Sequence, residues 1–217
     1  MTHLPNLEEL DVDGAIREAA SRVDGDTRAS FLRKAGVGAG AVVGSGAIMG
    51  ALPALASAGV AKSDVAILNF ALTLEYLEAS FYAGAVGANF PDKTGAFARV
   101  VAAHEAAHVK FLKGALGAAA VKSPKFDFKG TNTDMAKFLA TAQVLEDTGV
   151  AAYLGQAGNI KSKKILGAAG SILAVEARHA GWVRDLNNVA GAPSAFQGGK
   201  TMGQILAAVK GTGFIVG

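Results

Sequence analysis

The chain has 217 residues, 51% hydrophobic and 18% charged, with 5 prolines, a composition that excludes an intrinsically disordered protein. It contains no cysteine, which excludes disulfides, thiolate metal sites, iron–sulfur clusters and a catalytic thiol. A net charge of +3, without any basic run carrying interleaved aromatic residues, argues against a nucleic-acid partner.

Residues 1–58 are predicted to form an N-terminal signal segment. The chain starts with Met, so we expect the unprocessed product. A polar start ends in the basic stretch 27–34 (TRASFLRK), and the uncharged, Gly/Ala/Val-rich stretch 35–58 closes on Ala-Ser-Ala. This order is typical of a secretory signal, so we expect cleavage after Ala58 and a periplasmic or other extracytoplasmic location. The alternative is a buried Gly/Ala-rich helix of the domain.

Residues 59–217 are predicted to form one all-α domain with its core at 64–190. Apolar residues recur with the helical period in four windows that turn-forming residues separate, and no strand-like alternation of useful length occurs. The windows are 64–86, 94–118, 133–157 and 162–190. Their length is typical of a four-helix bundle, with a short fifth helix at 202–210 lying on it. Asp64 and Thr133 are the expected N-caps.

The rare polar residues of this domain repeat at a spacing of 71 residues. Each half contains a Glu, a Tyr seven residues later, and a Glu-x-x-His that starts thirty residues after the first Glu. The paired residues are Glu75 with Glu146, Tyr82 with Tyr153, Glu105 with Glu176, and His108 with His179. Because so few Glu and His residues follow the leader, chance is a poor explanation for this register.

All the repeated residues fall on the helical stripes predicted to face the core. Isolated buried carboxylates are costly, and four converging carboxylates would also repel each other unless cations lay among them. Glu and His at i and i+3 share one helical face, so each pair reaches the same centre. Four glutamates and two histidines on four helices therefore predict a dinuclear site for Fe or Mn. The alternative is a metal-free polar network.

With these residues in register, the chain resembles the ferritin-like superfamily. The stretch 68–79 (LNFALTLEYLEA) is most similar to exported bacterial ferritin-like proteins of the desiccation-related type. The resemblance implies two helical hairpins joined by a crossover at 119–132. It also implies two Fe ions, or Mn, with Glu105 and Glu176 as bridging or chelating carboxylates and Glu75 and Glu146 each capping one metal. The complete implied ligand set is Glu75, Glu105, His108, Glu146, Glu176 and His179.

Further residues are expected around these ligands. By resemblance, Tyr82 and Tyr153 would hydrogen-bond to ligand carboxylates; the alternative is that both are ordinary core aromatic residues. Glu78 lies one helical turn after the first repeated Glu and could reach the metals as an alternate ligand, but its counterpart in the repeat is Gly149, so symmetry argues against that role. We therefore expect Glu78 to be solvated or to lie just outside the ligands. His104 is expected at the surface or beside the site, not as a ligand.

The leader resembles a twin-arginine signal, whose pattern is S/T-R-R-x-F-L-K. The matching residues are Thr27, Arg28, Phe31, Leu32 and Arg33, while Ala29 stands in place of the second Arg. The resemblance implies export in the folded state, after the metal has been loaded. We expect contact with a membrane only through an uncleaved leader.

The resemblance implies a redox function with metal ions and O2 or H2O2 as partners. Ferroxidase or peroxidase-type oxidoreductase activity on Fe(II) is the expected class, with a dimanganese catalase-like activity as a variant. The alternative is a non-enzymatic, metal-binding or stress- and desiccation-related protein of the cell envelope. Iron storage would require a closed shell of subunits that nothing in the sequence specifies, and the oligomeric state is left open.

Overall fold

A computed structural model describes residues 61–216, so the predicted signal segment at 1–58 lies outside the described part. Within this range the chain forms five α-helices and no β-strand, which confirms the predicted all-α fold class. The helices are α1 (Lys62–Gly87), α2 (Asp92–Leu116), α3 (Met135–Ala157), α4 (Lys163–Leu186) and α5 (Met202–Thr212), with a 3-10 turn at Gly117–Ala119. None of the helices in residues 61–216 has both the length and the apolar character needed to cross a membrane.

The four long helices pair as two hairpins. Helix α1 packs along α2 and α3 packs along α4, while contacts of α1 with α3 and of α2 with α4 join the hairpins. The crossover between the hairpins occupies residues 120–134, close to the predicted 119–132. A single antiparallel bridge between Phe126 and Ile215 ties this crossover to the C-terminal end of the described chain.

The N-terminal ends of the helices differ from the predicted caps. Asp134, not Thr133, caps α3, and its side chain accepts a first-turn backbone N–H at 2.9 Å. Asp64 lies inside the first turn of α1 and is fully buried. Its carboxylate accepts the backbone N–H groups of Lys161 and Ser162, each at 2.9 Å. Asp64 thus joins the start of α1 to the turn between α3 and α4, a long-range contact that a local cap pattern does not reveal.

The C-terminal segment returns to the bundle. Helix α4 ends at Leu186, before the predicted residue 190, and Asn188 takes a φ of 57°, outside the right-handed helical region. The expected short helix, α5, packs against α3 and buries Ile205 and Val209. A capping box holds its first turn.

Two apolar clusters fill the bundle, and the polar residues of the repeat lie between them along every long helix. One cluster is rich in aromatic side chains and contains Phe81, Phe97 and Phe138, each fully buried. The other is mainly aliphatic, with Leu72 and Leu112 at its centre. The buried glutamates therefore form a polar layer enclosed on both sides by packed apolar side chains.

Candidate metal centre

Each long helix places one fully buried glutamate in this polar layer. The four are Glu75 from α1, Glu105 from α2, Glu146 from α3 and Glu176 from α4. Helices α2 and α4 each add a histidine one turn later, His108 and His179, with side chains 12% and 3% exposed. The i, i+3 spacing puts each histidine on the same helical face as its glutamate. The structure thus brings all six predicted ligands together.

Three carboxylates surround His108. Its Nδ1 atom lies 3.2 Å from Oε2 of Glu75, 3.1 Å from Oε2 of Glu105 and 3.1 Å from Oε1 of Glu176. Burial by itself lowers the pKa of His108, but these carboxylates, Glu105 foremost, raise it well above its ordinary value. His108 therefore lies where a positive charge is strongly favoured, whether a proton or a metal ion supplies it.

Carboxylate oxygens also surround His179. Its Nδ1 atom lies 3.2 Å from Oε1 of Glu105, 3.3 Å from Oε2 of Glu146 and 3.9 Å from Oε2 of Glu176. Glu105 and Glu176 thus turn one oxygen toward each histidine, while Glu75 approaches only His108 and Glu146 only His179. This geometry suits two bridging and two terminal carboxylates, and those roles stay predictions.

Several donor atoms of the layer are buried and form no hydrogen bond of suitable geometry among residues 61–216, although in some pairs a histidine nitrogen and a carboxylate oxygen lie within 3.3 Å of each other. These donor atoms are Oε1 of Glu105, Oε2 of Glu146, both carboxylate oxygens of Glu176, and Nδ1 of His179. Buried polar atoms without partners are expensive, and a metal ion satisfies several of them at once. Three sets of side chains offer donor atoms within 4.8 Å of one another: Glu75, Glu105, His108 and Glu176; Glu105, Glu146 and His179; and Glu78, Glu146 and Glu176. Carboxylate oxygen and imidazole nitrogen suit Fe or Mn, so the residues fit a di-metal site.

Burial and neighbouring charges shift the pKa values of the carboxyl groups in the metal-free layer. Burial raises the pKa of Glu105 and of Glu176, and repulsion by the neighbouring glutamates raises both further. Burial raises the pKa of Glu75 too, but its contacts with His108 outweigh this and leave its pKa lowered. Without a metal, the layer therefore retains protons on some of its carboxyl groups at pH values where exposed glutamates are ionised.

Two buried tyrosines connect the halves of the repeat. The hydroxyl of Tyr82 donates to Oε1 of Glu146, and the hydroxyl of Tyr153 donates to Oε1 of Glu75. Burial raises the pKa of both tyrosines, and the neighbouring carboxylates raise it further, so both remain donors at neutral pH. Each tyrosine hydrogen-bonds to the glutamate of the opposite half of the repeat. The sequence repeat thus corresponds to a pseudo-two-fold arrangement in space.

Glu78 and His104 lie closer to the centre than their positions in the repeat suggest. Glu78 is 3% exposed, so the solvated alternative is wrong, and it lies beside Glu146 and Glu176. Burial raises the pKa of Glu78, and those two carboxylates raise it further. His104 is half-buried, and its Nδ1 lies 2.8 Å from Nε2 of His179. The partner of His104 lies 75 residues away on another helix, so no sequence signal identifies it.

The structure contains an ion pair beside the centre that the sequence did not predict. Arg184 of α4 donates to both carboxylate oxygens of Asp147 in α3, at 2.8 and 2.7 Å. Asp147 directly follows Glu146, so the pair braces α3 against α4 next to a predicted ligand. Charged residues on amphipathic helices are common, and only their positions in space show which of them pair.

One comparison with known proteins identifies a family for this chain. A family model described as a ferritin-like domain matches residues 63–189, more than half of the chain. The matched range contains all four long helices except Lys62, the first residue of α1, and includes every residue of the polar layer. A search of the curated proteins found no match.

Proposed function

Because the chain belongs to the ferritin-like domain family, we propose that it is a carboxylate-bridged di-iron protein, with manganese as the alternative metal. The buried donor atoms without hydrogen-bond partners among the described residues carry this proposal. Glu75, Glu105, His108 and Glu176 would hold one ion, and Glu105, Glu146, His179 and Glu176 the other. When bound, iron supplies one-electron redox steps that no side chain provides.

The protein's own contribution would be geometry and exclusion of water. The two apolar clusters enclose the layer, and the tyrosine hydroxyls fix the terminal carboxylates. We propose a ferroxidase or peroxidase-type reaction with Fe(II) as the substrate. Two Fe(II) ions are oxidised to Fe(III), and the two electrons, with two protons, reduce O2 to H2O2 or H2O2 to two water molecules. Since the sequence has no cysteine for an iron–sulfur donor, Fe(II) is the simplest electron source.

The predicted signal segment supports a further proposal, about where in the cell the protein acts. We propose that the protein is exported through a twin-arginine-like signal and acts outside the cytoplasm, in stress or desiccation. Mass spectrometry of the protein purified from its natural compartment tests this directly. A mature chain that starts at Gly59 is expected, and a full-length cytoplasmic protein would contradict the export proposal.

Metal analysis and oxygen consumption test the redox proposal. We expect about two Fe or Mn per chain and Fe(II)-dependent oxygen uptake. His108→Ala and His179→Ala should slow the uptake at least about tenfold, because each removes a ligand. Asp185→Asn, which removes an exposed acid of α4, is the control and should match the native rate.

The outcomes separate the candidate functions. Histidine variants that oxidise Fe(II) as fast as the native protein would refute a ferroxidase at this centre. Two bound metal ions without any oxygen or peroxide turnover would favour the alternative, a non-enzymatic metal-binding protein. A preparation without metal that also takes up none on addition of Fe(II) or Mn(II) would refute the di-metal site itself.

A further inference from the structure

Two polar residues of the centre break the 71-residue repeat. The counterpart of Glu78 is Gly149, and the counterpart of His104 is Val175, so neither has a polar equivalent in the other half. His104 contacts His179, and Glu78 lies close to Glu146, which approaches only that histidine. The two halves of the layer are therefore chemically unequal, although their predicted ligands match one to one.

The carboxylate of Glu78 points into the centre. It belongs to the set with Glu146 and Glu176 whose donor atoms all lie within 4.8 Å of one another. In that set, Oε2 of Glu146 and Oε2 of Glu176 are buried without hydrogen-bond partners among residues 61–216. Glu78 is itself 3% exposed and forms no side-chain hydrogen bond within the described range, where no basic side chain pairs with it. A cation is the partner that would satisfy all three carboxylates.

Gly149 provides the space that Glu78 uses. A Cβ atom at position 149 would lie 3.3 Å from Oε1 of Glu78 and 3.3 Å from Oε2 of Glu176. These two oxygens thus both lie next to the backbone of α3 at Gly149, and a larger residue at this position would crowd them. The glycine that replaces a glutamate in the repeat is therefore part of the arrangement that seats Glu78.

His104 adds to the inequality of the two sides. Its ring lies nearly parallel to that of His179, with centroids 5.1 Å apart and an interplanar angle of 17°. Its contact with Nε2 of His179 leaves Nδ1 of His179 facing the carboxylates. The hydrogen bonds of His108 within the described chain involve only its Nδ1 atom. A partner on the second imidazole nitrogen orients a histidine ligand and strengthens its binding.

We propose that the two metal positions are inequivalent and that Glu78 is an additional ligand of the ion beside His179, which binds more tightly. This inference rests on the proposed di-metal function. The position beside His108 is offered three carboxylates and one imidazole. Three carboxylates also lie near the imidazole of His179, and Glu78, whose donor atom is within 4.8 Å of those of Glu146 and Glu176, would add a fourth. A higher count of charged oxygen ligands increases affinity for divalent cations.

Titration of the metal-free protein with Mn(II), followed by the electron paramagnetic resonance of free Mn(II), tests the inference. The native protein should bind two Mn(II) ions in two distinguishable steps. Glu78→Gln should weaken the tighter step at least about tenfold and change the weaker step less than about twofold. Asp185→Asn, which removes an exposed acid of α4, is the matched control and should leave both steps unchanged.

Double variants locate the effect. Glu78→Gln should weaken Mn(II) binding in a His108→Ala background and have no further effect in a His179→Ala background, because neighbouring groups are coupled. Glu78→Gln should not lower the melting temperature of the metal-free protein, since Gln keeps the size of Glu and its uncharged amide cannot repel the neighbouring carboxylates. If that variant unfolds, Gly149→Ala, which crowds the same oxygens from α3, should weaken the tighter step instead.

Failure of the inference is distinguishable from failure of the proposed function. Two Mn(II) ions bound equally well by the native protein and Glu78→Gln would overturn the inference and leave the di-metal site intact. Equal effects of Glu78→Gln in both histidine backgrounds would overturn the placement beside His179. A native protein that binds no Mn(II) or Fe(II) would overturn both proposals.

Discussion

Glu75 and Glu105 are equally buried, yet their pKa values move in opposite directions. Burial raises the pKa of both, but contact with His108 outweighs burial for Glu75, whereas for Glu105 repulsion by the neighbouring glutamates adds to burial. In the metal-free centre, Glu105 thus holds a proton more strongly than Glu75 does. Metal binding requires these protons to leave, so affinity should depend on pH.

We expect the free energy of unfolding of the metal-free protein to fall as the pH rises from 4.5, the ordinary glutamate value, toward 8. The raised pKa values of Glu78, Glu105 and Glu176 stabilise the fold fully below 4.5, and this contribution is lost as the pH rises through them. The raised pKa of His108 acts in the same direction above 6.5. Glu75 has a lowered pKa, so its contribution is complete above 4.5 and does not oppose the trend.

Urea unfolding at a series of pH values, in the presence of a chelator, measures this trend. Glu78→Gln removes one of the groups and should flatten the dependence. A free energy of unfolding that stays constant or increases over the same range would show that the buried carboxyl groups do not titrate as inferred.

Removal of either buried tyrosine hydroxyl should destabilise the metal-free protein. Tyr82→Phe and Tyr153→Phe each leave a buried carboxylate oxygen without its donor, which costs about 1–3 kcal/mol of unfolding free energy. Tyr76→Phe is the control, because its hydroxyl donates at 3.3 Å to the carbonyl of Val121 outside the centre. Urea unfolding of the three variants compares them, and equal losses in all three would argue against a special role for the two carboxylate bonds.

Two glycines in the long helices have opposite surroundings. In α3, a Cβ at Gly155 would overlap the carbonyl of Lys200, whose own N–H donates to the carbonyl of Ala151 at 2.9 Å. In α4, a Cβ at Gly170 would have nothing within 4 Å. The first glycine therefore permits the segment before α5 to lie on α3, and the second serves no packing purpose among the described residues.

Alanine at these two positions should shift stability in opposite directions. Gly155→Ala should lower the free energy of unfolding by about 1–3 kcal/mol because the tail must move away from α3. Gly170→Ala should raise it by about 0.5–1 kcal/mol through better helix propensity. Thermal unfolding measures both, and a stabilising Gly155→Ala would contradict the close approach of Lys200 to α3.

The helix faces were predicted less accurately near the helix ends than at their centres. The helical period extends the core-facing stripes to Val86, four residues after Tyr82, and to Met135, four residues before Leu139, but these two side chains are 40% and 44% exposed. Each lies in the first or last turn of its helix. Phe138, one turn into α3, is fully buried instead. Periodicity defines a face, and the length of the neighbouring helices decides how much of it is covered.

The bundle as a unit encloses a layer of carboxyl groups, and bound metal ions would neutralise their ionised forms. We expect Mn(II) or Fe(II) at a hundredfold excess over the dissociation constant to add about 2.7 kcal/mol of stability per site at neutral pH. Differential scanning calorimetry with metal and with chelator measures the shift. Glu105→Gln with Glu176→Gln should abolish it, and Asp185→Asn should retain it. An unshifted native protein would mean that the folded state does not bind these ions.

The sequence by itself determined the helical class, the number of long helices and the convergence of six polar residues. It could do so because helical period and i, i+3 spacing are local properties, and because the 71-residue repeat places equivalent residues at equivalent depths. The signal segment lies outside the described residues, so it stays a prediction.

The side-chain contacts between helices are known only from the tertiary structure. In the structure, Glu78 is buried, His104 contacts His179, and each tyrosine hydrogen-bonds to the glutamate of the opposite half of the repeat. These contacts join residues 64 to 78 positions apart. Their distances depend on how the helices are rotated and spaced by all the side chains packed between them, and a local sequence pattern carries no record of that packing.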